Sequence, residues 1–113
     1  MSAEDVDTAP DATLGGYLQV HNRPPAFEGA DGHPYTVSIE VEKTANLRAP
    51  WVAYLVFPRW AITGLGVVGH VETPVLWEGT AADQVTALAG ETPLLRVKQL
   101  LDEAIRLRAE EAD

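Results

Sequence analysis

His70 and Glu72 stand two residues apart, H-x-E, in the run Val67–Glu72. Alternate side chains of an extended strand share a face, so the imidazole and the carboxylate point the same way. That arrangement supplies part of a 2-His-1-carboxylate metal triad. No histidine follows residue 70, so His21 or His33 would have to complete the set from another segment. Three scattered histidines beside seventeen acids produce such a pair by chance. His70 and Glu72 are therefore read as surface or hydrogen-bonded groups rather than metal ligands, and no cofactor is expected.

Other catalytic patterns are incomplete. Glu40 and Glu42 also share a strand face, but acid–base work needs a pocket that drives two pKa values apart, and an open strand face lacks one. Gly64, Gly66 and Gly69 spell G-x-G-x-x-G. A dinucleotide cradle needs a helix opening from that turn, whereas Val67 to Val71 continues as a strand. The two serines, Ser2 and Ser38, lie in the acidic N-terminal stretch and in mid-strand, with no G-x-S-x-G elbow. The absence of cysteine excludes a thiol nucleophile, a disulfide scaffold and a zinc finger.

Binding is better represented than catalysis. Arg59-Trp60 pairs two residue types enriched in interface anchors. The pair is placed in a loop, 59–66, that also carries Ile62 and Leu65. Trp60 folding back over the end of a sheet is the competing reading. Arg23 is a possible partner of Arg59 at an anion site, although nothing in the sequence brings the two together. Before this loop, Trp51 to Phe57 is apolar on both faces: Trp51, Ala53, Leu55 and Phe57 face one way, Val52, Tyr54 and Val56 the other. Such a strand is central or covered twice. If helices cover one face, Val52, Tyr54 and Val56 need a cover of their own.

The elements that position these residues follow from periodicity and punctuation. Tyr17–His21 reads as a short strand stopped by Pro24-Pro25, and Phe27–Gly32 as turn chemistry. Tyr35–Thr44 alternates Tyr35, Val37, Ile39 and Val41 with Thr36, Ser38, Glu40 and Glu42, giving a strand with one wet face. Pro58 ends the strand that begins at Trp51, and Thr73-Pro74 breaks Val67–Glu72 from Val75–Glu78. Thr80 caps a short helix, Ala81–Ala89, closed by Gly90 at C′. Thr92 and Pro93 open a longer one. Its apolar arc holds Leu94, Val97, Leu100, Leu101, Ala104, Ile105 and Leu107. Leu95 and Arg108 violate that arc, and Asp102–Arg106 is a favourable i,i+4 ion pair. Strands first and helices last predict an α+β fold: an antiparallel sheet of four to five strands, followed by a short and a longer C-terminal helix packed on the sheet.

The chain has 113 residues with a net charge of −9, the size of one domain. Four of the seventeen acids lie in the first twelve residues, without an aromatic anchor. Residues 1–12 therefore read as a disordered acidic tail, 13–109 as a single domain, and 110–113 as a frayed acidic end. The acidic start lacks the basic and apolar regions of a signal peptide, and the longest apolar run is seven residues, which predicts a cytoplasmic protein off the membrane. The acidity argues against nucleic acid as a partner. The leading expectation is a non-catalytic domain that binds a protein partner or itself, as a homodimer, through Val52, Tyr54, Val56, Arg59 and Trp60. The alternative is a small-molecule-binding protein or an enzyme with a pocket near His70, Glu72, Arg59 and Trp60.

Overall fold

The computed structural model describes residues 9–112. The chain folds as α1 (Leu14–His21), β1 (Ala26–Glu28), β2 (Pro34–Thr36), β3 (Ser38–Lys43), β4 (Trp51–Trp60), β5 (Val67–Glu72), β6 (Trp77–Gly79), α2 (Ala82–Gly90) and α3 (Leu94–Ala112). The six strands form one antiparallel sheet, and the fold is α+β as the sequence predicts. No helix among the described residues is long and apolar enough to cross a membrane.

The strand that is apolar on both faces is the centre of the sheet. On one side β4 pairs with β3 from Trp51 to Val56 and with β2 at Arg59. On the other it pairs with β5 from Val56 to Trp60 and with β6 from Trp51 to Ala53. Pro58 does not end it, contrary to the sequence reading. The Leu55 carbonyl accepts from the Thr73 N–H and its N–H donates to the Thr73 hydroxyl, so odd-numbered residues of β4 bond toward β5 and β6. Even-numbered residues bond the other way. The missing N–H of Pro58 therefore faces the gap between the Ser38–Val56 and Tyr35–Arg59 pairs, where Val37 interrupts the neighbouring strand. The proline removes a bond on that side, opposite Thr36, while the pairing of Pro58 with His70 of β5 carries the strand through it. Arg59 and Trp60 thus lie on β4, and the hairpin loop shrinks to 61–66.

Tyr17–His21 is a second correction: it is helix, not strand. The Thr13 hydroxyl accepts from the Gly16 N–H at 3.1 Å, and Asn22 closes α1 in the left-handed region with its N–H on the Leu18 carbonyl. Leu14 is fully buried, and Gly15 lets α1 approach α2, since a Cβ there would stand 3.1 Å from the Gly90 Cα. Residues 9–12, inside the stretch expected to be a tail, form a turn, and the Ala12 carbonyl accepts from Leu94 at the start of α3. Residues 1–8 of that stretch lie outside the described residues, and α3 runs on to Ala112.

Two helix-end readings also change. Ala81, not Thr80, is the N-cap of α2; the Gln84 side chain reaches back to accept from the Thr80 N–H and hydroxyl. Gly90 stays in the helix, which closes on Glu91 in right-handed geometry. Along α3 the i,i+4 ion pairs are Lys98–Asp102 and Arg106–Glu110 rather than Asp102–Arg106. Asp102 also accepts from the Ala30 N–H.

All of the large core lies on one face of the sheet. Tyr35, Val37, Leu55, Phe57 and Val71 pack against Val97, Leu100, Leu101 and Ala104 of α3, with Leu14 of α1. Val85 of α2 reaches the same face at Gly79. Gly29 seats the β1–β2 turn on this layer: a Cβ there would collide with Tyr35 and Ile105, at 2.6 and 2.7 Å. Burial of these apolar groups is the main stabilising term, at roughly 1.5–3 kcal/mol per large side chain.

Candidate functional site

The opposite face carries no helix among the described residues. Register places Ser38, Glu40 and Glu42 beside Val56, Tyr54 and Val52. Glu72 stands beside Val56 on the other flank, and Glu78 beside Val52. The apolar stripe is therefore narrow and rimmed by carboxylates. The Tyr54 hydroxyl donates to Glu42 Oε1 at 2.7 Å. That bond, with the charges of Glu42, Glu72 and Glu40 around it, pushes the phenol up to about 12. Val52 is buried by its neighbours, while Tyr54 and Val56 are half-buried.

The stripe continues into the β4–β5 hairpin. The Trp60 indole N–H donates to the Thr36 hydroxyl at 3.0 Å, laying the ring across the end of β2. Beyond it the apolar side chains turn outward: Ile62 is 69% exposed, Leu65 89%, Val67 55% and Val68 54%. Four large aliphatic residues exposed within seven positions form the most concentrated apolar surface of the described chain.

The histidines do not converge. His21 Nε2 lies 3.0 Å from Asp11 Oδ2, which holds the Asp11 carboxyl below its ordinary value. His33 Nδ1 lies 3.1 Å from the Trp60 carbonyl. His70 and Glu72 share the open face of β5. Among the described residues no three His, Asp or Glu side chains form a metal-binding group.

Arg59 lies on the opposite face from Trp60's stripe, at the end of the core. It stands across from Tyr35 in the β2–β4 register. Its Nε is 3.2 Å from Asp31 Oδ2, close enough for an ion pair but not aligned for a hydrogen bond. Asp31 also accepts from the Tyr35 hydroxyl at 2.7 Å and the His33 N–H at 3.1 Å. Burial raises the Asp31 pKa, but these donors and the Arg59 charge outweigh it, so the carboxyl lies below its ordinary value. Burial raises Tyr35, and the bond to Asp31 raises it further. Both shifts lead away from neutrality and fix each group in its resting charge state, the reverse of what an acid–base catalyst needs.

A cavity of about 440 Å³ opens beside this cluster, lined by Asp31, Tyr35, Arg59, His70, Ile105 and Arg108 among others. A neighbouring one of about 340 Å³ runs between β5 and α3 past Glu72 and Thr73. Of the expected pocket residues, Arg59 and His70 line one cavity, Glu72 joins His70 in the next, and Trp60 lines neither. Arg23 does not line the Arg59 cavity; Arg108 does. The sequence signal for Arg108 is its intrusion into the apolar arc of α3, and nothing in the sequence pairs it with Asp31 or Tyr35. Compared with protein-family models, with curated proteins and with solved structures, the chain matches none.

Proposed function

We propose that this protein is a non-catalytic binding domain whose open sheet face and β4–β5 hairpin dock a protein partner. The observation that carries the reading is the run of exposed aliphatic side chains from Ile62 to Val68, continuous with Trp60 and the Tyr54–Val56 stripe. Burying such a patch is the dominant gain in most protein association. The titrating groups agree with a binding role, since the resolved shifts leave carboxylates ionised and phenols neutral near pH 7.

Charge selects the kind of partner. Glu40, Glu42, Glu72 and Glu78 lie on this face, and its strands contribute no lysine or arginine to it. A second copy stacked on the face would set carboxylates against carboxylates, a costly juxtaposition. A partner with apolar residues flanked by Lys or Arg meets the stripe and its rim together. The homodimer suggested by the uncovered strand face and the commonness of two-fold self-association therefore gives way to a basic, apolar protein segment.

Light scattering at ~100 μM, where weak self-association becomes visible, separates the two occupants. The basic-partner reading expects a monomer. A dimer that Leu65→Asp dissociates would replace that partner with a second copy. Selection from a displayed peptide library on the immobilised domain should enrich Lys or Arg beside aliphatic residues, and lose that enrichment on Leu65→Asp. Enrichment of acidic peptides, or of the same peptides on the variant, would overturn the reading.

A further inference from the structure

The cavity beside Arg59 opens at the helix-covered end of the sheet and shares Val68 with the β4–β5 hairpin. It joins two arginines from distant parts of the chain, one on central strand β4 and one near the end of α3. Arg59 is approached from behind, where Asp31 stands 3.2 Å from its Nε, and its guanidinium also interacts with the Tyr35 hydroxyl while lining the cavity. A carboxylate behind an arginine draws the guanidinium toward it by charge and leaves the remaining donors of the fork for a ligand. Arg108 forms no ion pair among the described residues. Asp31 offsets Arg59, so Arg108 leaves the site with one unbalanced positive charge in a chain of net charge −9. The rest of the wall is largely apolar: Val68, Val71, Ile105 and Ala109.

We infer that this cavity binds a small organic monocarboxylate, its anionic head between Arg108 and Arg59 and its apolar body along Ile105 and Val71. One net positive charge suits a monoanion better than a phosphate dianion, and the flat carboxylate matches the two-pronged guanidinium donors. The aliphatic wall gives an apolar tail a place that a bare inorganic ion would leave empty. The cavity volume of about 440 Å³ lies within the range of small-ligand sites.

The test is an amide chemical-shift titration of the whole chain with hexanoate, alongside hexanol and inorganic phosphate. Hexanoate is expected to give saturable shifts at Val68–Val71 and Ile105–Ala109. Arg108→Gln, at an exposed helix position that leaves the core intact, should weaken it at least ~tenfold, the usual order for losing a charged hydrogen-bond partner. Arg106→Gln, whose partner is Glu110 on the same helix, should leave it unchanged. Any of four results overturns the assignment: no saturation by ~10 mM, a range that reaches weak ligands; equal shifts with hexanol; tighter binding of phosphate; or an Arg108→Gln variant that binds like the parent.

Discussion

Asp31 stands behind Arg59, its Oδ2 3.2 Å from the guanidinium Nε, while accepting the hydroxyl of Tyr35 at 2.7 Å. Tyr35 and Arg59 are direct cross-strand neighbours on β2 and β4. A turn residue thus ties the central strand to its neighbour and sets the direction of an arginine that sequence alone places in a loop.

This tie has a pH signature. The Asp31 carboxyl lies below its ordinary value in the folded chain, so its contribution is complete above the unfolded value and is lost as pH falls through the folded one. Asp31→Asn should lower the urea midpoint at pH 7. The gap between variant and parent should close as pH falls below the ordinary carboxyl value of 3.8. A gap independent of pH would remove the charge from the account.

Gly29 is required for space. Gly29→Ala forces a Cβ against Tyr35 and Ile105, and overpacking of this kind costs about 1–3 kcal/mol. Thermal unfolding should show the loss. The same substitution at Gly66, where no atom lies within 4 Å of the added Cβ, should be close to neutral.

Helix α1 is anchored by a single fully buried leucine. Leu14→Ala should cost about 2–5 kcal/mol, while Val20→Ala, at an exposed position of the same helix, should stay within about 0.5 kcal/mol. Equal effects at both positions would contradict the helix and its packing.

The acidic rim can be read from Tyr54. Its phenol should ionise at about 12, and Glu42→Gln should bring that value down toward 10.0, because the bond to Glu42 is the largest cause of the shift. Ultraviolet titration near the phenolate band measures both. An unchanged value in Glu42→Gln would separate the two side chains.

Much of the architecture was written in local pattern. Alternation from Tyr35 to Val41 marked the face that meets the helices, and the apolar arc of α3 placed Val97, Leu100, Leu101 and Ala104 in the core. Val52, Tyr54 and Val56 marked a central strand with a face free of helix. The misses have physical causes. Gly15 and Gly16 lower helix propensity, and hid a helix set by the Thr13 cap and by close packing on Gly90. Pro58 reads as a strand stop until the gap beside Val37 is known. The binding residues divide in the same way. Ile62 and Leu65 were visible as apolar loop residues, whereas the meeting of Asp31, Arg59 and Arg108 depends on how the β1–β2 turn seats on α3, a long-range contact without local trace.

The docking face is tested most directly by an amide chemical-shift titration with two synthetic strands, one alternating Lys with Ile and the other Glu with Ile. The Lys peptide should perturb Glu40–Glu42, Tyr54–Val56 and Ile62–Val68, with an affinity that falls as salt rises. The Glu peptide should leave those amides in place. Equal binding of both peptides, or perturbations confined to the outer surfaces of α2 and α3, would contradict the assignment of this face.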